Sequence, residues 1–137
     1  MQADTKSDHA PEKGAEGATN PGNREADGVF AATPPPPYYA VIFTRLRTPG
    51  DNGYGAEAER MVKLVEQQPG YLGVESVASP DGAGITVAYF SSLEAIAGWK
   101  QNAEHLGAQA KGRDAWYAGY EVRVARVERA YGFRRPQ

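Results

Sequence analysis

The segment YYAVIFTRLR, residues 38–47, constrains the fold of this chain more than any other stretch. Its β-branched and aromatic residues predict a β-strand. Both alternating faces of that strand are apolar, with Tyr39, Val41 and Phe43 on one face and Ala40, Ile42 and Leu46 on the other. A strand that is apolar on both faces needs cover on both sides of its sheet. The fold must therefore place a layer on each side of this strand.

Residues 1–37 differ sharply from this strand in composition. They hold six of the ten prolines and, after the first residue, only two large apolar side chains, Val29 and Phe30. Ordering a backbone costs roughly 1–2 kcal/mol per residue, which so little apolar surface does not offset. We therefore predict a disordered tail over 1–37, a folded domain over 38–133 and a short C-terminal tail over 134–137.

The charges divide at the same boundary. The tail holds six acidic and three basic residues, whereas residues 38–137 hold eleven acidic and twelve basic ones, a net charge of +1. A nearly neutral domain lacks the clustered basic surface of a nucleic-acid-binding protein. The absence of cysteine excludes disulfides and thiolate metal sites. The sequence shows neither a secretory signal nor a membrane-spanning apolar run, so we expect a cytoplasmic protein that binds neither nucleic acid nor membrane.

The domain alternates between strand and helix patterns. In order, these patterns predict a strand, a helix, two strands, a helix and a strand, at about 38–47, 56–68, 71–79, 84–90, 92–113 and 120–133. The two middle strands are joined by the reverse-turn sequence SPDG. Right-handed crossovers and pairing of adjacent hairpin strands then favour an α+β class, a ferredoxin-like βαββαβ fold with a four-stranded antiparallel sheet.

Two features of this predicted sheet have further consequences. Its two helices cover only one face, so the second apolar face of the first strand needs a partner's sheet. We therefore predict a homodimer joined sheet to sheet, as a dimeric α/β barrel. In the last strand the apolar parity changes between Val124 and Val127, which predicts a β-bulge.

Several segments together resemble the antibiotic biosynthesis monooxygenase (ABM) family. They are GYGAEAERMVKLVEQQPGYLGVES, GITVAYFSSLEAIAGWK, NAEHL and GRDAWY. The resemblance covers about residues 38–133 and implies a dimeric α+β barrel. It also implies a range of activities, since some members oxidise phenolic or quinol-type polyketides with oxygen and no cofactor. Others bind and cleave haem, and still others are binding modules.

The resemblance extends to individual positions, with departures. Trp99 matches the Trp that lines the cavity between helices and sheet in catalytic members. Thr44 stands where haem-degrading members carry an Asn, and their His lies further beyond the Trp than His105 does. Ala95 stands where some cofactor-free oxygenases carry an Asn. Neither catalytic constellation is therefore complete.

The residues around Trp99 predict a small-ligand pocket. On a helix, Trp99 and Ala103 face the sheet, while Asn102 and His105, three residues apart, flank that face. A neutral imidazole can accept a phenol proton near neutral pH, and an indole offers a flat wall to an aromatic ring. We therefore predict His105 as proton acceptor, assisted by Asn102. Arg123 is the predicted stabiliser of the substrate oxyanion.

Two functions remain open from these residues. The first is an oxygenase that acts without a cofactor on a small phenol-like ligand, contacted by Thr44, Phe43 and Tyr89. The alternative is a non-enzymatic dimer that binds a small aromatic ligand or haem in the same pocket. A purely structural interpretation also remains open, in which Trp99 and His105 only fill the core. One histidine among scattered carboxylates does not form a metal site, so no metal is predicted.

Overall fold

The computed structural model describes residues 28–105 and 115–136, although of the last two residues of the first range it describes only the backbone. Six elements follow one another: β1 (Tyr38–Arg47), α1 (Tyr54–Val65), β2 (Tyr71–Ala78), β3 (Ala83–Phe90), α2 (Leu93–His105) and β4 (Tyr117–Val127). The strands form one antiparallel sheet in the order β2-β3-β1-β4. The predicted ferredoxin-like α+β fold is confirmed. No helix in the described ranges has the length and apolar character to cross a membrane.

Side chains just before each helix account for where the helices begin. The Asp51 carboxylate accepts hydrogen bonds from the amides of Gly53 at 3.0 Å and Gly55 at 3.1 Å, at the start of α1. Ser92 Oγ accepts a hydrogen bond from the Ala95 amide at 3.0 Å, at the start of α2. These bonds satisfy amides that have no acceptor within the first helical turn.

The turn between β2 and β3 forms as the sequence predicts. The Gly82 amide donates to the Ser79 carbonyl at 3.1 Å, and the Ser79 amide donates to the Ala83 carbonyl at 2.8 Å. Gly82 has a φ of +102°, a conformation that a side chain disfavours. The turn packs on β1, since the Arg47 amide donates to the Gly82 carbonyl at 2.9 Å.

The pairing of β1 with β4 corrects the predicted bulge. The register runs without a slip from Tyr38 opposite Val127 to Leu46 opposite Gly119, and its one shift follows Leu46. The prediction of a bulge between Val124 and Val127 is therefore wrong. Val124 lies opposite the core residue Val41 but is 51% exposed. The change in apolar parity thus reflects an exposed edge strand, whose faces need not alternate strictly.

The main core lies between the sheet and the two helices. Its buried members are Val41, Phe43, Met61, Val65, Phe90, Ala95, Trp99 and Ala103. Phe90 has no exposed surface and Trp99 is 7% exposed. Burying a large apolar side chain contributes about 1.5–3 kcal/mol, so this layer is the main source of stability on the helix side.

Among the residues that the structure describes, cover on the opposite face of the sheet lies at one end only. Tyr38 is 5% exposed there, whereas Leu46, Ile85 and Val77 are 46%, 48% and 74% exposed at the other end. These three residues share the face, because Ile85 pairs with Thr44 and with Val77. The second apolar face of β1 is thus covered near Tyr38 and exposed near Leu46.

Residues 28–37 contribute to the covered end. The Ala31 amide donates to Glu75 Oε2 at 2.9 Å, and the Thr33 hydroxyl donates to the Tyr38 hydroxyl at 3.0 Å. Ala31 also lies against Gly73, where an added Cβ would stand 3.0 Å from the Ala31 Cβ. The rest of the predicted tail, residues 1–27, lies outside the described residues.

Candidate ligand-binding site

The structure divides the residues predicted for the site between the two faces of the sheet. Phe43 and Trp99 lie in the helix-side core, 2% and 7% exposed. Thr44, Tyr89 and Arg123 lie on the opposite face, in register with the even-numbered residues of β1. One cavity therefore cannot gather all five side chains within a single chain.

The residues on the opposite face have structural partners of their own. Arg123 Nη2 lies 3.9 Å from Glu121 Oε1, and both side chains are more than 60% exposed, so the pair is worth little. The Tyr89 hydroxyl donates to Glu75 Oε1 at 2.8 Å. Burial, followed by this bond to a carboxylate, raises the pKa of Tyr89 above its ordinary range. Arg123 and Tyr89 thus lie on the face of the sheet opposite to Trp99, and neither side chain is beside it.

The remaining predicted residues lie on α2. Asn102 is half-buried. His105 is the last residue of α2, and its side chain lies outside the described residues. Its role as proton acceptor therefore stays a prediction.

A buried arginine that the sequence analysis missed lies on the helix-facing side of β1. Arg45 is 4% exposed, and its Nη1 donates to Thr86 Oγ1 at 3.0 Å. The hydroxyls of Thr86 and Ser76 lie 2.7 Å apart. The Arg45 Cζ atom is 5.8 Å from the Phe43 ring centroid. Burying a guanidinium is costly unless it is hydrogen-bonded, and Thr86 supplies such a bond to Arg45.

The backbone of β3 makes room for this guanidinium at Gly84. A Cβ added there would stand 2.8 Å from Arg45 Nη2 and 2.9 Å from Arg45 Cζ. It would also stand 3.1 Å from the Val77 carbonyl oxygen. Real Cβ atoms essentially never approach neighbours within 3.0 Å, so the observed position of Arg45 requires glycine.

Replacing Gly84 with Ala should therefore displace the Arg45 guanidinium without removing it. Overpacking of this kind costs about 1–3 kcal/mol, and urea unfolding of the variant measures that loss. Gly119→Ala is the matched control, because a Cβ at Gly119 meets nothing within 4 Å. Equal urea midpoints for the two variants would contradict the close approach of Arg45 to β3.

Aromatic rings continue from Phe43 toward the start of α1. The ring centroids of Phe43 and Tyr120 are 5.3 Å apart, and those of Tyr117 and Tyr120 are 5.6 Å apart. Tyr54 meets Tyr117 at 5.9 Å and Trp116 at 5.8 Å, both edge to face. Such edge-to-face pairs are favourable arrangements for aromatic rings. Together they form a rigid aromatic wall beside Arg45.

Two phenols of this wall, those of Tyr54 and Tyr117, keep their protons at neutral pH. Burial raises the pKa of Tyr117 to about 12. Burial also raises the pKa of Tyr54 well above its ordinary range, and the neighbouring Tyr117 adds to that effect while Arg45 opposes it. The neutral hydroxyls of Tyr54 and Tyr117 thus lie in a wall that two cationic side chains, Arg45 and Arg47, approach.

A cavity of about 490 Å³ opens beside this wall. Its lining residues are Arg45, Arg47, Tyr54, the loop 48–50 and the turn 78–82. Small-molecule sites commonly enclose about 300–1,000 Å³. The cavity therefore has the volume of a small-molecule site, one aromatic lining ring, Tyr54, and two arginines in its lining, Arg45 and Arg47.

Fold and candidate site together define a ferredoxin-like α+β domain with a cavity at one end of its sheet, lined by Arg45, Arg47 and Tyr54 among others. The sequence model of the family described as "Antibiotic biosynthesis monooxygenase" matches residues 37–111. "Uncharacterized protein YqjZ" of Bacillus subtilis (strain 168) is 57% identical over 100 residues, which span 73% of this chain and 88% of that protein. The chain belongs to the antibiotic biosynthesis monooxygenase family.

Solved structures share the fold at low sequence identity. SnoaB from Streptomyces nogalater, described as a cofactor-independent oxygenase, matches with a TM-score of 0.59 and 10% identity over 69% of this chain and 97% of its own. PA3566 from Pseudomonas aeruginosa matches with a TM-score of 0.55 and 16% identity over 70% of this chain and 97% of its own. At these identities the likeness shows the fold.

Proposed function

We propose that this protein is an oxygenase of a small phenol- or quinol-like aromatic substrate and that it acts without a bound cofactor. The observation that carries the proposal is the buried guanidinium of Arg45, next to Phe43 and the tyrosine wall at the edge of a cavity. Membership of the family supports the reaction type, as does the fold shared with SnoaB, itself described as a cofactor-independent oxygenase.

In this mechanism the protein stabilises an electron-rich substrate anion that reduces oxygen directly. A substrate methylene that becomes a carbonyl gives four electrons to one O₂ molecule. One oxygen atom enters the substrate and the other leaves as water, so no external reductant is needed. Arg45 donates a charge-assisted hydrogen bond to the substrate oxyanion, which is stronger in a site shielded from water.

The proposal revises some of the residue roles predicted from the sequence. Arg45 takes the oxyanion role in place of Arg123, because Arg45 is buried on the helix side and Arg123 is exposed on the other face. Phe43 is part of the aromatic wall, and Trp99 lies in the same helix-side core as Phe43. His105, assisted by Asn102, remains the proposed proton acceptor.

Oxygen uptake with 1,8-dihydroxyanthrone tests the reaction. We expect uptake faster than spontaneous oxidation, with one atom of ¹⁸O₂ in the new carbonyl group and the other in water. Tight binding of the same compound with uptake no faster than in buffer would contradict the oxygenase and support the alternative, a non-enzymatic binding module.

The proton acceptor has a test of its own. His105→Gln should lower the rate of oxygen uptake by about 10²–10⁴-fold, the usual contribution of general base catalysis. Lys100→Gln is the control, because Lys100 is exposed on the same helix. Wild-type uptake by His105→Gln would remove His105 from the mechanism.

The proposal includes a homodimer joined through the open face of the sheet. The apolar side chains Leu46, Ile85 and Val77 are exposed together there, and contiguous exposed apolar surface marks interaction sites. Family membership supports the same interface.

A charge placed in this patch should dissociate the dimer. We expect Ile85→Glu to sediment as a monomer at micromolar concentration, because an unpaired buried carboxylate in an apolar interface is costly. Leu93→Glu should remain dimeric, since Leu93 is 52% exposed at the start of α2, away from this face. A monomeric wild-type protein would contradict the proposed dimer.

A further inference from the structure

We infer that residues 28–33 form a releasable strap, which covers one end of the sheet face that the second copy of the chain binds. The docked strap restricts the homodimer to the other end of that face, and release of the strap lets the partner's sheet pack on the whole of it. The inference rests on the dimer included in the proposed function and adds a means of regulating it.

The strap and the exposed apolar patch occupy two ends of one surface. The hydrogen bonds of the strap end on Glu75 and on Tyr38. Glu75 is two residues from Val77 in β2, and Tyr38 is eight residues from Leu46 in β1. Side chains separated by an even number of residues along a strand lie on the same face of the sheet. A partner's sheet that extends from the patch toward Tyr38 therefore meets the strap.

Few contacts hold the strap, and none of them buries an apolar side chain of its own. Besides the two hydrogen bonds, the Cζ atom of Arg134 lies 4.4 Å from the ring centroid of Phe30. No residue of the strap is buried, and Val29 and Phe30 are 40% and 48% exposed. Segments with little buried apolar surface open at a low free energy compared with the core. The strap can thus leave the sheet while the domain stays folded.

The link between the strap and β1 favours release of the strap as a unit. Four consecutive prolines, residues 34–37, form this link. Proline has no amide hydrogen to donate to a sheet, and a run of prolines favours a stiff, extended backbone. Movement of the strap about this link therefore breaks no hydrogen bond between β1 and its neighbouring strands.

The dimensions of the face indicate that the strap restricts the dimer. The sheet has four strands and β1 has ten residues, so at standard spacings the face is on the order of 600 Å² and half of it on the order of 300 Å². A stable interface buries about 800 Å² per partner. Half the face falls well short of that area, and the whole face approaches it.

The strap and the partner's sheet therefore compete for one surface. Two events that exclude each other are linked, so docking of the strap weakens the dimer by the same factor by which the dimer weakens docking of the strap. This reciprocity gives two independent measurements, one on the dimer and one on the strap.

Sedimentation equilibrium of the full chain measures the dimer. Ala31→Pro removes the amide hydrogen that Glu75 accepts and adds ring atoms where Ala31 lies against Gly73. We expect this variant to lower the dimer Kd at least ten-fold. Ala32→Ser is the control, because Ala32 is exposed in the same strap, and it should keep the wild-type Kd. An unchanged or higher Kd in Ala31→Pro would overturn the inference.

A second variant guards against a failure of Ala31→Pro to fold. Thr33→Val removes only the hydroxyl that donates to Tyr38 and keeps the shape of the side chain. We expect it to lower the dimer Kd in the same direction by a smaller factor. If Ala31→Pro does not fold, an unchanged or higher Kd in Thr33→Val overturns the inference.

Amide exchange of the wild-type chain measures the strap. The Ala31 amide is bonded to Glu75 when the strap is docked, so its exchange with solvent reports release. We expect faster exchange of this amide at ten times the dimer Kd than at one tenth of it. A strap that only stabilises the fold would exchange at the same rate at both concentrations, and an equal or slower rate in the dimer would overturn the inference.

The outcomes separate this inference from the proposed function. A wild-type dimer whose Kd is the same in Ala31→Pro would overturn the strap and leave the proposed dimer standing. A monomeric wild-type chain with a dimeric Ala31→Pro variant would support the strap and contradict the wild-type dimer, and two monomers would overturn both. Oxygen uptake on 1,8-dihydroxyanthrone tests the reaction independently of these results.

Discussion

Replacement of Arg45 by Met is expected to lower kcat/KM for oxygen uptake by about 10²–10³-fold, the usual effect of removing one donor to a developing oxyanion. Arg45 is 4% exposed and lies against Phe43 at the cavity, so its guanidinium is largely shielded from bulk water. Arg45→Lys should recover part of the rate, because it keeps the charge and loses the planar fork.

The stability of the Arg45→Met variant distinguishes a catalytic from a structural role. Replacing a buried charge by an apolar side chain of similar volume is often neutral or stabilising. Thr86 keeps its contact with Ser76 in this variant. We therefore expect an unchanged or higher Tm together with the loss of activity. A lower Tm with a wild-type rate would show that Arg45 serves the fold and not the reaction.

Removal of the Trp99 side chain is expected to have the largest effect on stability. Trp99 packs in the helix-side core beside residues such as Phe43 and Phe90, and truncating a buried Trp to Ala costs about 3–5 kcal/mol. Urea unfolding followed by circular dichroism measures this loss. A loss below about 1 kcal/mol would contradict the placement of Trp99 in the core.

A second substitution at Trp99 separates packing from contact with the ligand. Trp99→Phe keeps an aromatic ring in the core and should lose less stability than Trp99→Ala. If Trp99 also forms the floor of the cavity, Trp99→Phe raises KM for the aromatic substrate. An unchanged KM would mean that Trp99 is a core residue only, which is the purely structural interpretation of this position.

The order of elements could be predicted because each is specified locally. The apolar run of β1, the helical spacing of Ala58, Met61 and Val65, and the turn at Pro80 each carry their own signal. The bulge in β4 was predicted wrongly because an alternation of apolar residues was taken to mark the buried face of the strand. β4 is an edge strand, and Val124 is exposed although it lies on the same face as buried residues of β1.

The candidate site was harder to predict because charged residues were assumed to be exposed to solvent. Arg45 shares the parity of Val41 and Phe43, so the pattern already placed it on a face read as apolar. An arginine on such a face was the signal that could have been used. Arg123 was chosen for its charge, but its position in β4 puts it on the opposite side of the sheet. Which face a strand presents to the helices depends on pairing across the sheet, and residue type alone does not specify it.

The positions of the two tryptophans make intrinsic fluorescence a separate reporter for each half of the molecule. Trp99 is enclosed by the core, so its emission follows unfolding. Trp116 packs edge to face on Tyr54, which lines the cavity, and its Nε1 donates to the Asn52 carbonyl at 2.9 Å. A chain carrying Trp99→Phe retains a single indole, and quenching of that indole would follow ligand entry without any added dye.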